Sequence, residues 1–247
     1  MLDSKVNALA IPEIEIPVWE KLEKIAIHEC GERLVPLSLS DELVCYPAYY
    51  KMGVKYAVQE CFVRESVFEK LLAVARSLPD NLRLVVLDGW RPIHVQEYLY
   101  ETLINQLKRA PIHSGKSLSE LSLIARTLVS PPSTDANCPS PHQTGGSVDV
   151  TLCDRDGRLL DMGTQFDENS LRSWSCALEH SSDTKQAKNR RLLYNAMIGA
   201  GFTNLPSEWW HYDYGNQMWA NYTGRNKAIF GATRPLTIEH LWNIQEG

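Results

Sequence analysis

The chain has 247 residues, of which 44% are hydrophobic and 22% are charged, as is typical of a soluble globular protein. Its 25 Lys and Arg residues against 30 Asp and Glu residues give a formal net charge of −5. The densest basic group, Lys188, Arg190 and Arg191, lies in a helical pattern and is interpreted as a solvated helix face. Since no basic groove is indicated, the sequence argues against a nucleic-acid partner.

The cellular location is predicted from what the sequence lacks. No apolar run reaches the roughly 18 to 20 residues of a membrane-spanning helix, and residues 1–10 lack the basic and apolar regions of a secretory signal. The six cysteines are widely spaced, without a Cys-x-x-Cys pair, so we expect buried, reduced thiols. The sequence therefore predicts a cytoplasmic protein without membrane attachment, or a periplasmic one if a signal was removed before residue 1.

Three regions are predicted along the chain. Residues 1–45, with three prolines, are expected to be an extended segment that wraps around the body of the protein. Residues 46–222 are predicted to form the main domain, and residues 223–247 to be a C-terminal extension packed on it.

The first helix is predicted from about Ser66 to Leu78. Ser66 and Glu69 have the spacing of a capping box, apolar residues recur at helical spacing, and Pro79 ends the run. The continuous apolar run 82–87 then predicts a buried strand, and residues 92–108 predict a second helix. Arg91 lies between the two, just past a strand end, where a side chain could project into a site.

After a third predicted helix near 117–128, a loop rich in proline and small polar residues (130–141) leads to His142. The alternation of polar and apolar residues over 147–152 predicts a half-buried strand with Asp149 on its polar face. Residues 154–157 predict a hairpin turn. A calcium loop is excluded there, because Gln165 stands where an EF-hand needs glutamate.

A long helix is predicted from about 183 to 200, with Gly201 as its cap. Residues 208–214 are rich in aromatics and predict extended chain, and Trp209, Trp210, Tyr212 and Tyr214 are interpreted as core and pocket wall. In a regular strand Glu208 and His211 would point to opposite faces. A shared site would need a bulge or turn between them, or a metal beyond the strand end.

The chain contains the parts of a hydrolytic metal site in two motifs. Such a site needs three ligands from His, Asp or Glu, an open position for water, and a carboxylate to take the proton of that water. His142 and Asp149 supply two ligands, and Glu208-x-x-His211 supplies a third ligand with a carboxylate. Two histidines and one carboxylate suit zinc, although iron, cobalt or nickel would also bind.

Three segments carry a family resemblance: Asp88-Gly89-Trp90-Arg91-Pro92, Ser140-x-His142-x-x-Gly145-x-x-x-Asp149 and Glu208-Trp209-Trp210-His211. They resemble, in the same order, the signature segments of D-alanyl-D-alanine dipeptidases, the zinc enzymes known from vancomycin resistance. The stretch from Asp161 to Asp167 is similar too, and the resemblance covers residues 46–214. One departure is Ser173-Trp174-Ser175, where members often have Ser-His-His.

The resemblance implies a fold and a role for each site residue. The fold is an α+β domain with a central antiparallel sheet and flanking helices, like that of Hedgehog domains and D,D-peptidases. One Zn²⁺ per chain is implied, with a small peptide as substrate. The implied roles are as follows: ligands His142, Asp149 and His211; base Glu208; oxyanion-stabilising cation Arg91; and substrate-binding residues Ser140 for the carboxylate and Asp167 for the ammonium. Ser140 and Asp167 could equally be turn or helix caps.

Three functions remain open at this point. The first is hydrolysis of free D-alanyl-D-alanine, and the second is D,D-carboxypeptidase or endopeptidase activity on longer cell-wall peptides. The third is a non-enzymatic zinc module like the Hedgehog signalling domain. The presence of Glu208 and Arg91 argues against the third, because a structural site is usually closed by four ligands.

The remaining histidines fit neither motif and are assigned structural or surface roles: His28, His94, His113, His180 and His240. Among them, His94 follows Arg91 by three residues and could reach the edge of the site.

Overall fold

The structure is a computed structural model, and it describes residues 9–126, 129–181 and 183–236. Its helices are α1 (Trp19–Leu22), α2 (Ala48–Lys51), α3 (Glu65–Ser77), α4 (Ile93–Arg109), α5 (Leu118–Ala125), α6 (Lys185–Gly199) and α7 (Gln217–Tyr222). Its strands are β1 (Ala26–Ile27), β2 (Leu34–Pro36), β3 (Val44–Cys45), β4 (Phe62–Arg64), β5 (Leu82–Asp88), β6 (Ser147–Asp154), β7 (Thr203–Asn204), β8 (His211–Asp213) and β9 (Lys227–Ala228). Within these ranges, no helix has the length and apolar character needed to cross a bilayer.

A five-stranded sheet in the order β3-β5-β6-β8-β7 forms the centre of the molecule. The pairs β5–β6, β6–β8 and β7–β8 are antiparallel, which confirms the predicted α+β fold with a central antiparallel sheet. The edge strand β3 is an exception, since it pairs with β5 in parallel. The long connection from β3 to β5 carries α2, β4 and α3, as a parallel crossover requires.

Strand β6 is buried on both faces, whereas the alternation of its residues predicted a half-buried strand. Val148, Val150 and Leu152 belong to the main core, with residues of α3 and α6. Ser147 and Asp149 lie on the opposite face and are buried as well. This face is polar because it carries the site and not because it faces solvent, so the prediction of half burial was wrong.

Helix α3 begins one residue earlier than predicted, and its predicted capping box is not formed. Its N-cap is Arg64, which makes no side-chain cap, and the hydroxyl of Ser66 is buried without a hydrogen-bond partner. The amide of Ser66 instead donates to Glu32 Oε2 over 2.9 Å. A carboxylate from the N-terminal region thus accepts a hydrogen bond from one of the amides at the start of α3 that have no partner within the helix.

The other predicted elements are close to the observed ones. Helix α4 is shifted by one residue from the predicted range. Helix α5 falls within its predicted range, of which residues 127–128 lie outside the described part of the chain. The amide of Asp154 donates to the carbonyl of Arg158 and Gly157 has a φ of 81°, which confirms the hairpin turn. Helix α6 ends before Gly201, whose φ of 91° makes it the predicted cap.

Arg190 corrects the predicted solvated face of α6, because this side chain is buried. Its guanidinium donates to the carbonyls of Met162 (2.6 Å), Trp174 (2.7 Å) and Arg172 (2.9 Å). These acceptors offset the cost of removing the charge from water. Arg190 therefore braces the segment that carries Asp167.

Two short strands of the N-terminal region pair with strands that come later in the chain. Strand β1 pairs with β9, and β2 pairs with β4. Phe230, from the predicted C-terminal extension, is buried in the main core. The boundaries at residues 45 and 222 stay predictions.

All six cysteines are free, as predicted. The expected burial is confirmed for Cys61 and Cys153 and is wrong for Cys30, which is exposed, while the other three are partly buried.

Candidate active site

The three predicted metal ligands come from three separate parts of the chain. His142 lies in the 3₁₀ turn Pro141–Thr144, Asp149 in β6, and His211 at the first position of β8. Because β6 pairs with β8 in the register Asp149↔His211, two of the side chains leave neighbouring positions of the sheet. Gly145, with a φ of 69°, turns the chain between His142 and β6, and a Cβ there would lie 2.3 Å from Leu34.

The ligand atoms form a compact, buried triangle. His211 Nδ1 lies 3.2 Å from both His142 Nε2 and Asp149 Oδ1, and His142 Nε2 lies 3.6 Å from that oxygen. The exposed fraction of each residue is at most 4%. A tetrahedral ion with bonds of about 2.0–2.1 Å holds its ligands about 3.3–3.4 Å apart. The triangle therefore has the size that a zinc-like ion requires.

The outer ring nitrogens fix the proton positions of both histidines. His142 Nδ1 lies 2.8 Å from the carbonyl oxygen of Gly89, which can only accept a hydrogen bond. His211 Nε2 lies 3.1 Å from Asp213 Oδ2. Each outer nitrogen thus donates, and each inner nitrogen of a neutral ring presents a lone pair. Two lone pairs and a carboxylate oxygen then face one another without a proton between them. Such a set of acceptors fits a bound cation.

The electrostatics of His211 support the same conclusion. Burial alone lowers the pKa of His211, but the carboxylates of Asp213 and Asp149 outweigh it and raise this pKa well above its ordinary value. The surroundings therefore stabilise positive charge at this position, which a metal ion would supply.

Glu208 lies in a turn that precedes β8. The Glu208 amide donates to the carbonyl of Leu205 over 3.0 Å, and the turn breaks the alternation that a continuous strand would impose. As a result Glu208 Oε2 lies 3.8 Å from His211 Nδ1. The expectation that a turn would reconcile the two residues is confirmed.

The Glu208 carboxylate is positioned to accept a proton. Burial raises the pKa of Glu208 to about 8, His211 opposes the rise, and Asp149 and Asp167 add to it. These directions apply to the ligand cluster without a cation. A bound cation would lower the pKa and leave the carboxylate ionised.

Arg91 lies beside the ligand cluster and is held by three acceptors. Its Nε donates to Asp88 Oδ2 over 2.8 Å, Nη1 to Gln96 Oε1 over 2.8 Å, and Nη2 to Asp149 Oδ2 over 3.2 Å. The guanidinium also stacks over the ring of Tyr49, 4.8 Å from its centroid. A guanidinium has five N–H groups, so two remain for another partner.

Asp167 lines the same cavity as the ligand cluster. Its φ of 64° is unusual for a residue other than glycine. Burial raises the pKa of Asp167 to about 6, while Arg91 and a hydrogen bond from Tyr49 lower it. Asp167 is thus a half-buried carboxylate in the same cavity as the three predicted metal ligands.

Ser140 differs from the other six predicted site residues. Its hydroxyl donates to the carbonyl oxygen of Pro131 over 2.7 Å, and its amide donates to Gln143 Oε1 over 3.0 Å. It begins the 3₁₀ turn that carries His142 and is absent from the cavity lining. The structure agrees with the alternative of a turn residue, and a contact between Ser140 and substrate stays a prediction.

Several residues of the site were missed in the sequence. Asp213 follows His211 by two residues in β8, so a strand period of two was a usable signal. Gln96 lies on the first turn of α4, one turn beyond Arg91. Tyr49 comes from a distant segment, and no local pattern marks it as part of the site.

Of the other histidines, His94 pairs with Glu97 on the surface and does not line the cavity, while His240 lies outside the described residues. Trp210 lines the cavity, and Trp209 and Tyr212 belong to the core, as predicted for these aromatics.

The cavity has a volume of about 370 Å³. The three predicted ligands, together with Glu208 and Arg91, form one part of its wall. Leu99 and Leu103 of α4 contribute an apolar part. A volume of this size suits a small ligand.

Within the described residues, the ligand set has three members and leaves a coordination position open beside the Glu208 carboxylate, which is the arrangement of catalytic and not of structural metal sites. This arrangement is that of a metal-dependent hydrolase. A family model described as D-ala-D-ala dipeptidase, peptidase M15, matches residues 44–229. The chain belongs to this family.

Two D-alanyl-D-alanine dipeptidases agree with the family assignment. A D-alanyl-D-alanine dipeptidase of Synechocystis is 30% identical over 215 residues, which cover 79% of this chain and 87% of the relative. One of Escherichia coli is 28% identical over 189 residues, covering 71% and 83%. A zinc complex of the vancomycin-resistance D,D-pentapeptidase VanY is 16% identical with a TM-score of 0.42, covering 69% of this chain and 83% of that chain.

Proposed function

We propose that the protein hydrolyses the free dipeptide D-alanyl-D-alanine to two molecules of D-alanine, with one Zn²⁺ per chain. The observation that carries this proposal is the common cavity of Glu208, Arg91 and the buried triangle His142–Asp149–His211. The names of the relatives, D-alanyl-D-alanine dipeptidases, support the substrate.

Two histidine nitrogens and one carboxylate oxygen suit zinc and leave a position for water and substrate. When bound, zinc supplies Lewis-acid polarisation of the carbonyl group and lowers the pKa of water. His142 and His211 would present their inner nitrogens to it, and Asp149 its Oδ1.

Glu208 transfers the protons of the reaction. Its carboxylate takes a proton from water as the water oxygen attacks the carbonyl carbon. It then gives this proton to the amide nitrogen as the C–N bond breaks, and it passes the second proton of the former water to the same nitrogen, so that one product leaves as an ammonium and the other as a carboxylate. Burial in the cavity, with Oε2 3.8 Å from His211, places the carboxylate beside the ligand cluster.

Arg91 and Asp167 bind the substrate in this proposal. The two free N–H groups of Arg91 donate to the carbonyl oxygen as it gains negative charge, and the bonds to Asp88 and Gln96 keep the guanidinium in place. Asp167 pairs with the free ammonium of the dipeptide.

The test is release of D-alanine from the dipeptide by purified, zinc-loaded protein, with L-alanyl-L-alanine as the control substrate. We expect D-alanine from the first peptide and little product from the second. Zinc-loaded protein that releases no D-alanine would contradict the proposal.

The open ligand position and the cavity argue against a non-enzymatic zinc module. A D,D-carboxypeptidase would use the same residues and differ in the length of peptide accepted, so the cavity walls decide between it and a dipeptidase.

We also propose a cytoplasmic location. Its support is chemical, since the six cysteines are unpaired and free thiols persist in reducing compartments. Fractionation of the native host with an antibody to this protein tests it.

A further inference from the structure

Part of the cavity wall comes from the N-terminal region. Ile16, Pro17 and Trp19 line the cavity together with His142 and Glu208. These three residues precede residue 44, where the match to the family begins. A feature of this chain outside the matched region therefore shapes the space available to substrate.

Near residues 9–11 the N-terminal region is attached to α6 and the chain that precedes it. Ile11 is buried in the main core, and its amide donates to Glu179 Oε1 over 3.1 Å. Glu179 is itself held by Arg191, whose Nε lies 3.0 Å from Oε1. The carbonyl of Leu9 accepts a hydrogen bond from Asn195 of α6 over 2.9 Å.

The other end is fixed near α5 and α7. The indole Nε1 of Trp19 donates to the carbonyl oxygen of Arg126 over 2.8 Å. Leu22 is buried, and its carbonyl accepts a hydrogen bond from Gln217 Nε2 over 3.2 Å. Residues 11–22, here called the crossing segment, are thus attached at both ends.

The two attachments involve different parts of the fold. Arg126 lines the cavity next to α4, whereas Glu179 follows the segment that carries Asp167. Eight residue steps separate Ile11 from Trp19 and can reach at most about 28 Å. Pro12 and Pro17 restrict the backbone between them, and Ile16, Pro17 and Trp19 form part of the cavity wall.

We propose that the crossing segment determines the length of peptide that the enzyme accepts, by closing the cavity to peptides extended at the amino end. This inference rests on the proposed function. A free dipeptide ends in an ammonium, which Asp167 can pair. A longer peptide has an uncharged amide there, and its next residue needs additional space in a cavity whose wall includes Ile16 and Pro17.

The experiment replaces the two cavity-lining residues with glycine, in the double variant Ile16→Gly, Pro17→Gly. The matched control is Glu13→Gly, Glu15→Gly, which adds flexibility to the same segment at two exposed residues outside the cavity lining. The value of kcat/KM is measured for free D-alanyl-D-alanine and for a stem pentapeptide that ends in the same two residues.

We expect wild-type protein to prefer the free dipeptide. The ratio of pentapeptide to dipeptide kcat/KM should rise by about tenfold or more in the cavity variant, since a single methylene group in a pocket already discriminates by about that factor. The ratio should stay constant in the control. Trp19→Ala, which removes one wall and one attachment, should change the ratio in the same direction. Melting curves identify variants that fail to fold.

Two results would overturn the inference while leaving the proposed function intact. One is wild-type protein that cleaves both peptides equally well. The other is an unchanged ratio in folded Ile16→Gly, Pro17→Gly and in folded Trp19→Ala. Absence of dipeptide hydrolysis by wild-type protein would instead contradict the proposed function, and with it this inference.

Discussion

At the scale of single residues, the site depends on groups that hold the ligands as much as on the ligands themselves. Asp213 accepts the outer N–H of His211 with one carboxylate oxygen. Its other oxygen accepts from Ser147 Oγ over 2.6 Å and from Asn216 Nδ2 over 2.7 Å. All of these side chains are buried, so each hydrogen bond lacks a competing water.

We predict that Asp213→Asn weakens metal binding by about 10- to 100-fold, as is usual for partners of a ligating histidine. An amide has one acceptor and one donor end, so it cannot accept from His211, Ser147 and Asn216 together. Competition with a chelator of known affinity measures the change. Unaltered zinc affinity in a folded variant would contradict the assigned role of Asp213.

Glu208→Gln should separate turnover from metal binding. Glutamine keeps the shape of the side chain but cannot take a proton, so kcat should fall by about 10²- to 10⁴-fold while zinc content stays at the wild-type level. Glu97→Gln, on the surface of α4, is the control and should retain activity. Loss of zinc from Glu208→Gln would show that Glu208 is a ligand.

At the scale of elements, local patterns predicted which segments are helices and strands, but tertiary contacts decided several details. The apolar run of β5 and the helical periodicity of α3, α4 and α6 were sufficient signals. The capping box of α3 failed because Glu32, which is distant in sequence, takes the place of the local cap. The burial of Arg190 could not be predicted, since its three carbonyl acceptors come from other segments.

Glu32→Ala should therefore lower the free energy of unfolding by about 0.5–2 kcal/mol, the usual cost of losing a helix N-cap. Ser66→Ala should change it little or raise it, because the Ser66 hydroxyl is buried without a partner. Urea unfolding of the two variants compares them directly. A larger loss of unfolding free energy in Ser66→Ala than in Glu32→Ala would contradict this role of Glu32 and support the predicted capping box.

At the scale of the whole molecule, the sheet register and the N-terminal region complete the site. The site residues His142, Asp149, Glu208 and His211 were predicted from two short motifs, whose spacing resembles that of the family's signature segments. The place of the crossing segment in the cavity wall is not marked by a local sequence pattern, because it depends on contacts between residues far apart in the chain, which periodicity and propensity do not encode. The turn that directs Glu208 toward the ligands contains a short-range hydrogen bond, from the Glu208 amide to the carbonyl of Leu205, and was expected only as one way to place Glu208 and His211 in a shared site.

The central claim is that one metal ion in the His142–Asp149–His211 triangle makes the protein a D-alanyl-D-alanine dipeptidase. The direct measurement is D-alanine release during titration of metal-stripped protein with Zn²⁺. We predict that activity rises linearly and reaches its plateau at about one equivalent per chain, because one set of three ligands holds one ion. Full activity in the stripped protein, or one bound zinc per chain without release of D-alanine, would contradict the claim.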